Sequence, residues 1–424
     1  MSSAVLVAIG DELLGGLRRE ENCAFLARHL HDAGWTVERL ETISDGEEQL
    51  LNVLDRWVGR TDLLVLSGGL GPTHDDRTRS ALARYLGCPL RSDLLYDKVV
   101  GRYTGEMRLL FERTRDTQSM IPEAARAVYN PEGSALGIAF DRDSTHVLAF
   151  PGVPMEYAAM ARQELPDLFA ASRRWTSVIV LGLPETAVVE RIPEVIGDGE
   201  LHVSVLPAFP QVELVIRGDP TRVADAEALV RSRFSDALPP GCHSLAEAVL
   251  WEARRQGRTV TAAESCTGGL LQGALTEVPG SSEAFRGGVV TYSDEMKERF
   301  LRVPGRLLEE FGAVSRECAE AMARGGLWLY EADFSVAVTG VAGPGGGTPL
   351  KPVGGVWFGL ASRRKNGRAE SRAFHCLFRG GREEVRRRAV SCAMAELWRM
   401  VRDGWPSPMP CFESDVREDA TAGE

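Results

Sequence analysis

Short apolar runs alternate with amphipathic stretches from the first residues onward. Residues 5–9 are apolar and end at Gly10, residues 20–33 carry Phe25, Leu26 and Leu30 at helical spacing, and residues 35–40 alternate as a strand does. The unit then returns. Residues 49–58 predict a second helix, 63–66 a strand with apolar neighbours on both faces, and 78–86 a third helix, with further strands at 125–129 and 146–150 and a helix over 154–169. Strands alternating with helices at this spacing predict βαβ units around a parallel sheet.

From about residue 172 the texture changes to strand-like segments at 177–181, 202–206 and 212–217, followed by a helix over 222–234. A Pro239-Pro240-Gly241 turn closes this part, because two prolines and a glycine cannot continue a helix. Beyond it the α/β rhythm resumes, with helices at 244–256 (capped by Ser244), 268–276, 317–328 and 381–402, and strands at 260–263, 288–292, 334–338 and 353–361. The fold class expected is α/β: two three-layer α/β domains, 1–170 and 242–402, joined by a small α+β middle domain, 171–241. Residues 403–424 hold six acidic residues against one arginine, with three prolines, and are expected to be a disordered acidic tail.

The 424 residues, at about 150 per domain, suit two to three domains. A net charge of −11 disfavours sequence-independent binding to nucleic acid or anionic lipid. The first residues lack a basic segment before their apolar run, and no stretch reaches the roughly 20 apolar residues of a spanning helix, so a cytoplasmic protein without membrane or direct nucleic-acid partners is expected. Eight dispersed cysteines without a Cys-x-x-Cys pair fit reduced thiols and argue against structural zinc.

Three segments concentrate chemistry. The run Ser67-Gly68-Gly69-Leu70-Gly71-Pro72-Thr73-His74-Asp75-Asp76 leaves the carboxyl end of a strand, where open α/β sheets place ligands. Its glycines let N–H groups approach an anion. Asp75 and Asp76 suit a divalent cation lying between them and a pyrophosphate; alternatively they cap the next helix. Gly10-Asp11-Glu12, Asn130-Pro131-Glu132-Gly133-Ser134 and the turn at 151–154 follow other strands and share that edge.

The second segment is Glu264-Ser265-Cys266-Thr267-Gly268-Gly269, again strand, turn and helix. Ser265 is the candidate nucleophile, with N–H groups of Thr267, Gly268 and Gly269 as oxyanion donors. Cys266 competes, since an exposed thiol at a helix start is acidified. No histidine accompanies them, so Lys297, with Tyr292 as relay, is the candidate base; a lysine serves so only where desolvation or a neighbouring cation favours the neutral amine. Otherwise Lys297 is an exposed helix residue. The third segment, residues 338–349, is a Gly-rich loop opened by Thr339 and containing Gly340, Gly343, Gly345 and Gly346, which suggests a phosphate cradle without metal.

These motifs resemble the CinA family of two-part bacterial proteins. Ser67 to Asp76, the Gly10-Asp11-Glu12-Leu13-Leu14 opening and Phe150 to Tyr157 are similar to its molybdopterin-binding-like half, and Glu264 to Gly269, Gly287 to Ser293 and Val338 to Gly354 to its nicotinamide-nucleotide amidase half. The resemblance implies hydrolysis of nicotinamide mononucleotide (NMN) to nicotinate mononucleotide and ammonia, in pyridine nucleotide recycling and without a cofactor. It implies catalytic roles for Ser265, Tyr292, Lys297 and Thr339. Substrate contacts fall on Glu264, Thr267, Gly268, Gly269, Gly340, Gly343, Gly345, Gly346 and Arg382, with Arg379 as a rival for the last.

For the first half it implies an ADP-ribose pyrophosphatase with magnesium or cobalt at Asp75 and Asp76. Its nucleotide contacts would be Gly10, Glu12, Ser67, Gly68, Gly69, Gly71, Thr73, Asn130 and Gly133. Residues 17–21 depart from the family, whose asparagines survive here only as Asn22. That departure motivates an alternative in which the first half is a non-catalytic nucleotide- or pterin-binding sensor or scaffold. The resemblance also implies a homodimer, and the family's competence label alone suggests a DNA-linked role.

Overall fold

The structure, a computed structural model, describes residues 2–170, 175–363, 368–405, 407 and 409. It divides into two compact units, Met1–Arg174 and Trp175–Glu424.

In the first unit β1 (Ser3–Ile9), β2 (Thr36–Ile43) and β3 (Leu63–Ser67) run parallel, and β4 (Leu90–Ser92) pairs with β5 (Met120–Pro122) apart from them. Beyond β6 (Arg126–Val128), β7 (Gly137–Arg142) and β8 (Thr145–Phe150) complete a six-stranded sheet in the order β2-β1-β3-β8-β7-β6. Successive side chains of a strand point to opposite faces. Accordingly Val5, Val7 and Ile9 enter one core while Ala4, Leu6 and Ala8 enter another, so helices must cover both faces of the sheet. The parallel sheet expected from sequence is in fact mixed, because β7 is antiparallel to both β6 and β8. A two-residue connection at Asp143 and Ser144, both at positive φ, permits only the hairpin return.

The second unit contains two sheets. β9 (Trp175–Leu181), β10 (His202–Ala208) and β11 (Gln211–Arg217) form an antiparallel sheet ordered β10-β11-β9. β12 (Val260–Glu264), β13 (Phe285–Val290), β14 (Phe334–Gly340), β15 (Gly355–Arg363) and β16 (Ala369–Leu377) form the other, ordered β13-β12-β14-β15-β16. It too is mixed: β13, β12 and β14 are parallel, and β15 and β16 return antiparallel. The middle stretch has a core of its own around Val178, Val180 and Leu214, and it also sends Ile179 and Leu181 into the large core of the following sheet. The long helix Arg382–Asp403 fills that core with Trp398, Leu397 and Val385.

Disorder beginning at residue 403 does not hold throughout. Met409 is buried in the same core, and its N–H donates to the Glu396 carboxylate at 3.0 Å. The reason is local: Glu396 is a buried carboxylate needing donors, and it takes Arg399 at 3.1 Å as well. Residues 406, 408 and 410–424 lie outside the described residues.

Burial raises Glu396 from the usual glutamate range to about 7. Its folded-state pKa is therefore above its unfolded value, so between about 4.5 and 7 the folded chain holds a proton that the unfolded chain releases, and stability is lost as pH rises through that window. We expect the melting temperature to fall more between pH 5 and pH 8 in the wild type than in Glu396→Gln; equal falls in a calorimetric comparison would remove this group from the pH dependence.

Candidate functional site

In the second unit β12 ends at Glu264, with Val290 of β13 on one side and Val338 of β14 on the other. The Ser265 N–H donates to the Val338 carbonyl at 2.9 Å, and the Thr291 N–H to the Glu264 carbonyl at 2.8 Å. The segments beginning at Ser265, Thr291 and Thr339 thus leave three adjacent parallel strands at one edge, with neighbours about 4.8 Å apart. Parallel register brings the three together.

The turn after Ser265 is tightly organised. Glu264 is fully buried and its carboxylate accepts from the N–H groups of Gly269 at 2.9 Å, Leu271 at 3.1 Å and Gln272 at 2.9 Å. This corrects two expectations. Glu264 does not face substrate, and the start of helix Leu270–Thr276 does not offer free donors to an anion, because the chain's own carboxylate already holds them. The Gly268 N–H is likewise given to the Ser265 carbonyl at 3.1 Å. Of the three expected oxyanion donors, Thr267 alone keeps its N–H unclaimed among the described residues. Its side-chain hydroxyl is also buried without a partner.

Cys266 is corrected as well. It is buried, and burial pushes its thiol up to about 12, so it is a neutral thiol at neutral pH rather than an activated thiolate. Ser265, at 8% exposed, is the other side chain of the turn singled out from sequence as a nucleophile.

Lys297 lies in helix Asp294–Leu301 and is 1% exposed, so it is not a solvated helix lysine. Its Nζ is 3.5 Å from the Tyr292 carbonyl and 3.7 Å from the Asp294 carboxylate. Tyr292 is 61% exposed, and its hydroxyl accepts from Arg382 Nη2 at 3.1 Å while Nη1 donates to the Gly343 carbonyl at 2.8 Å. One guanidinium therefore ties the tyrosine to the Gly-rich loop, whereas Arg379 has no hydrogen bond or ion pair among the described residues. Within that loop Gly340 closes β14, Gly343 is buried, and Gly345 and Gly346 are exposed. Thr339 is buried, and its hydroxyl donates to the Ala313 carbonyl at 2.7 Å. That proton is engaged there, which leaves the hydroxyl oxygen able to accept but not to donate a hydrogen bond elsewhere.

In the first unit a cavity of about 370 Å³ is lined by Glu12, Gly68, Gly69, Gly71, Asp75 and Asp76, together with Arg18, Asp45 and Glu156, which sequence reasoning did not select. Gly68 has φ +116°, and a Cβ there would stand 2.3 Å from the Ile9 carbonyl, so a side chain is excluded where the loop crosses β1. Gly10, Ser67, Thr73, Asn130 and Gly133 are not among the lining residues. Gly10 donates to the Ile43 carbonyl, and Asn22 donates to the Ser67 hydroxyl at 2.8 Å and the Gly152 carbonyl at 2.9 Å. Asn130 accepts from the Gly133 N–H at 2.7 Å and donates to Glu156 at 2.7 Å. Burial raises the Glu156 and Asp45 carboxyls above their usual range.

Asp75 and Asp76 do not pair up as expected. One Asp76 oxygen accepts from the Gly71 N–H at 2.7 Å and the other from the Thr73 N–H at 2.8 Å and the Thr73 hydroxyl, so this residue closes its own turn. Asp75 is fully exposed, with its carboxyl lowered first by a hydrogen bond from Thr73. Among the described residues no three His, Cys, Asp or Glu side chains are grouped to hold a metal ion. Glu12, Asp45, Asp75 and Asp76 nevertheless line one cavity, and the Asp11, Glu12 and Asp75 charges add to burial in raising Asp45.

Two family models match the chain, "Probable molybdopterin binding domain" over 5–170 and "CinA C-terminal domain" over 242–401. A CinA-like protein of Chlorobaculum tepidum is 36% identical over 413 residues, which cover 93% of this chain and 97% of that protein. The chain belongs to the CinA family. A CinA-like protein of Citrifermentans bemidjiense is also 36% identical, over 94% of this chain and 96% of that one. Among solved structures, the competence/damage inducible protein of Agrobacterium tumefaciens is 42% identical over 38% of this chain and 94% of its own, with a TM-score of 0.35.

In this CinA chain the sequence reading missed Arg386, one helical turn after Arg382. Its Nη2 donates to the Thr267 carbonyl at 2.7 Å, and a Cβ on Gly268, which has φ +61°, would stand 3.1 Å from it. Arg386 thus holds the carbonyl side of the turn whose N–H side Glu264 holds. The two-arginine spacing along the helix was the available signal. No helix among the described residues is long and apolar enough to cross a membrane.

We expect Arg386→Lys to lower kcat about tenfold or more with little change in KM, since a single-point amine cannot keep the turn's geometry. Cys266→Ser is expected to retain most of whatever turnover Ser265 supports, and loss comparable to that of Ser265→Ala would return the thiol to the mechanism.

Proposed function

We propose that the second unit hydrolyses the carboxamide of NMN, releasing ammonia and nicotinate mononucleotide. Ser265 attacks the carboxamide carbon, Lys297 takes its proton, and the Thr267 N–H stabilises the oxygen that becomes negative. As the adduct collapses the C–N bond breaks, the nitrogen takes the proton held by Lys297 and leaves as ammonia, and water then cleaves the acyl ester on Ser265 to release nicotinate mononucleotide and restore the serine hydroxyl. Arg382 and the Gly-rich loop bind the ribose phosphate, with Tyr292 positioned by the same arginine. What supports this reading is that the turn carrying Ser265, the segment leading to buried Lys297 and the arginine-tethered Gly-rich loop all leave the same ends of three adjacent parallel strands. Neither a metal nor a second cofactor enters this scheme.

Mass spectrometry of NMN incubations tests it. Ser265→Ala is expected to abolish product while melting stays near wild type, and Lys297→Met to cost about 10²-fold or more in kcat. Undiminished turnover in Ser265→Ala would end the proposal.

For the first unit, the engagement of Asp76 within its own turn favours a nucleotide- or pterin-binding module over an ADP-ribose pyrophosphatase. ADP-ribose with magnesium or cobalt is expected to shift the melting temperature without yielding AMP. Steady AMP formation would restore the hydrolytic reading. We also assign the protein to the cytoplasm and to a homodimer.

A further inference from the structure

A cavity of about 640 Å³ in the second unit lies between the turn joining β10 to β11, the helix Leu270–Thr276 and the long helix Arg382–Asp403. That volume is in the range of small-molecule sites. Its apolar lining is Phe209, Leu270, Ala274 and Val390. Phe209 is fixed edge-on against Phe378 of the core, with ring centroids 5.7 Å apart and planes at 78°. Ser265, Lys297, Tyr292, Arg382 and the Gly-rich loop do not line this cavity.

One lining residue has no packing reason for its identity. Gly273 sits inside the helix Leu270–Thr276, where glycine is less favourable than alanine, yet beyond the helix's own backbone a Cβ there would meet no atom within 4 Å. The missing side chain leaves bare backbone along the cavity, against which a flat group can lie.

The charged lining divides between two ends. At about 100° per residue, Glu384, Arg387, Arg388 and Ser391 share one face of the long helix, roughly half a turn from the face that carries Arg382 and Arg386. Arg388 stands over the Phe209 ring at 5.5 Å. Glu384 accepts from Arg387 Nη2 and, at 2.7 Å, from Arg388 Nε, and no other hydrogen bond or ion pair engages these two guanidiniums among the described residues. Two adjacent guanidiniums therefore keep donors for an anion. They follow directly on Arg386, which takes the Thr267 carbonyl at the start of the helix Leu270–Thr276. Glu277 closes the other end, roughly 12 Å beyond Gly269 at 1.5 Å per residue. It is exposed, and its carboxylate has no hydrogen bond or ion pair among the described residues.

We propose that this cavity binds a nucleoside monophosphate whose base carries an exocyclic amine. The phosphate lies on Arg387 and Arg388, the base between Phe209 and the Gly273 backbone, and the amine on the Glu277 carboxylate. Stacking on an aromatic ring accepts any base. Selection comes from Glu277, because a base with a carbonyl in place of the amine sets acceptor against acceptor. The site is separate from that around Ser265, so the amidase reading stands or falls without it.

Titration calorimetry of the full-length protein with AMP, CMP and UMP tests the assignment. Gly273→Phe fills the slot, and Arg387→Glu combined with Arg388→Glu reverses the charge of the anion end. Each should lose one equivalent of AMP that the wild type binds, whatever binds elsewhere in the chain, whereas Gly273→Ala should keep it and melt no lower than the wild type. The two routes are independent, so if one variant does not fold the other decides. At that equivalent UMP should bind about tenfold more weakly than AMP or CMP, and Glu277→Gln, which can donate as well as accept, should narrow the gap. No AMP binding by the wild type, an AMP stoichiometry unchanged in the folded variants, or equal affinity for AMP and UMP at that equivalent would each overturn the proposal.

Discussion

The three hydrogen bonds that Glu264 accepts from Gly269, Leu271 and Gln272 are the constraint on which the second unit's chemistry rests. A carboxylate taken wholly out of water is costly unless its lone pairs are filled. Here the start of a short helix fills them, and the turn carrying Ser265 has no freedom to open without stranding that charge. Arg386 completes the restraint from the other side by taking the Thr267 carbonyl. The serine is thus carried on a turn whose donors and acceptors, the Thr267 N–H and hydroxyl aside, are spoken for, and this would hold the proposed nucleophile in place without a histidine to orient it.

The first unit solves the same problem with the same two kinds of group, a carboxylate and a guanidinium. Asp76 accepts from the Gly71 and Thr73 N–H groups, and the buried Arg79 donates to the Leu70 carbonyl at 2.7 Å and the Met120 carbonyl at 2.9 Å. Burial lowers the Arg79 guanidinium to about 10, so it remains charged at neutral pH and its bonds to backbone carbonyls are charge-assisted. In both units a Gly-rich turn at a strand end is held by one carboxylate on its N–H groups and one arginine on its carbonyls. The glycines supply the tight path, and the charged pair supplies the rigidity that glycine cannot.

This shared device also explains where sequence reading succeeded and where it failed. Short continuous apolar runs identified parallel strands such as β1, because it sends successive side chains into two different cores. They missed β16, an edge strand in which only Phe374 and Cys376 are buried, and the antiparallel turn of β7, whose hairpin depends on backbone dihedrals at Asp143 and Ser144. Motif reading selected Ser265 and Lys297, and the family resemblance selected Arg382. Neither could say which N–H groups were free, since Glu264 and Gly269 are as suitable for a substrate as for each other until the fold decides.

The same ambiguity governs charged residues beside glycines in general. A carboxylate next to a Gly-rich turn reads as a metal ligand, a cap or a substrate contact, and the three differ only in which partner lies nearest. For Asp76 the nearest donors are two N–H groups and a hydroxyl of its own loop, so the internal partner wins without desolvating a cation. For Lys297 the balance differs. Its surroundings offer one carbonyl at 3.5 Å and one carboxylate at 3.7 Å, neither at ideal hydrogen-bond distance, and it is 1% exposed. A buried amine held this loosely has bonding capacity left for a reacting partner, which separates it from the charged residues that the fold has already satisfied.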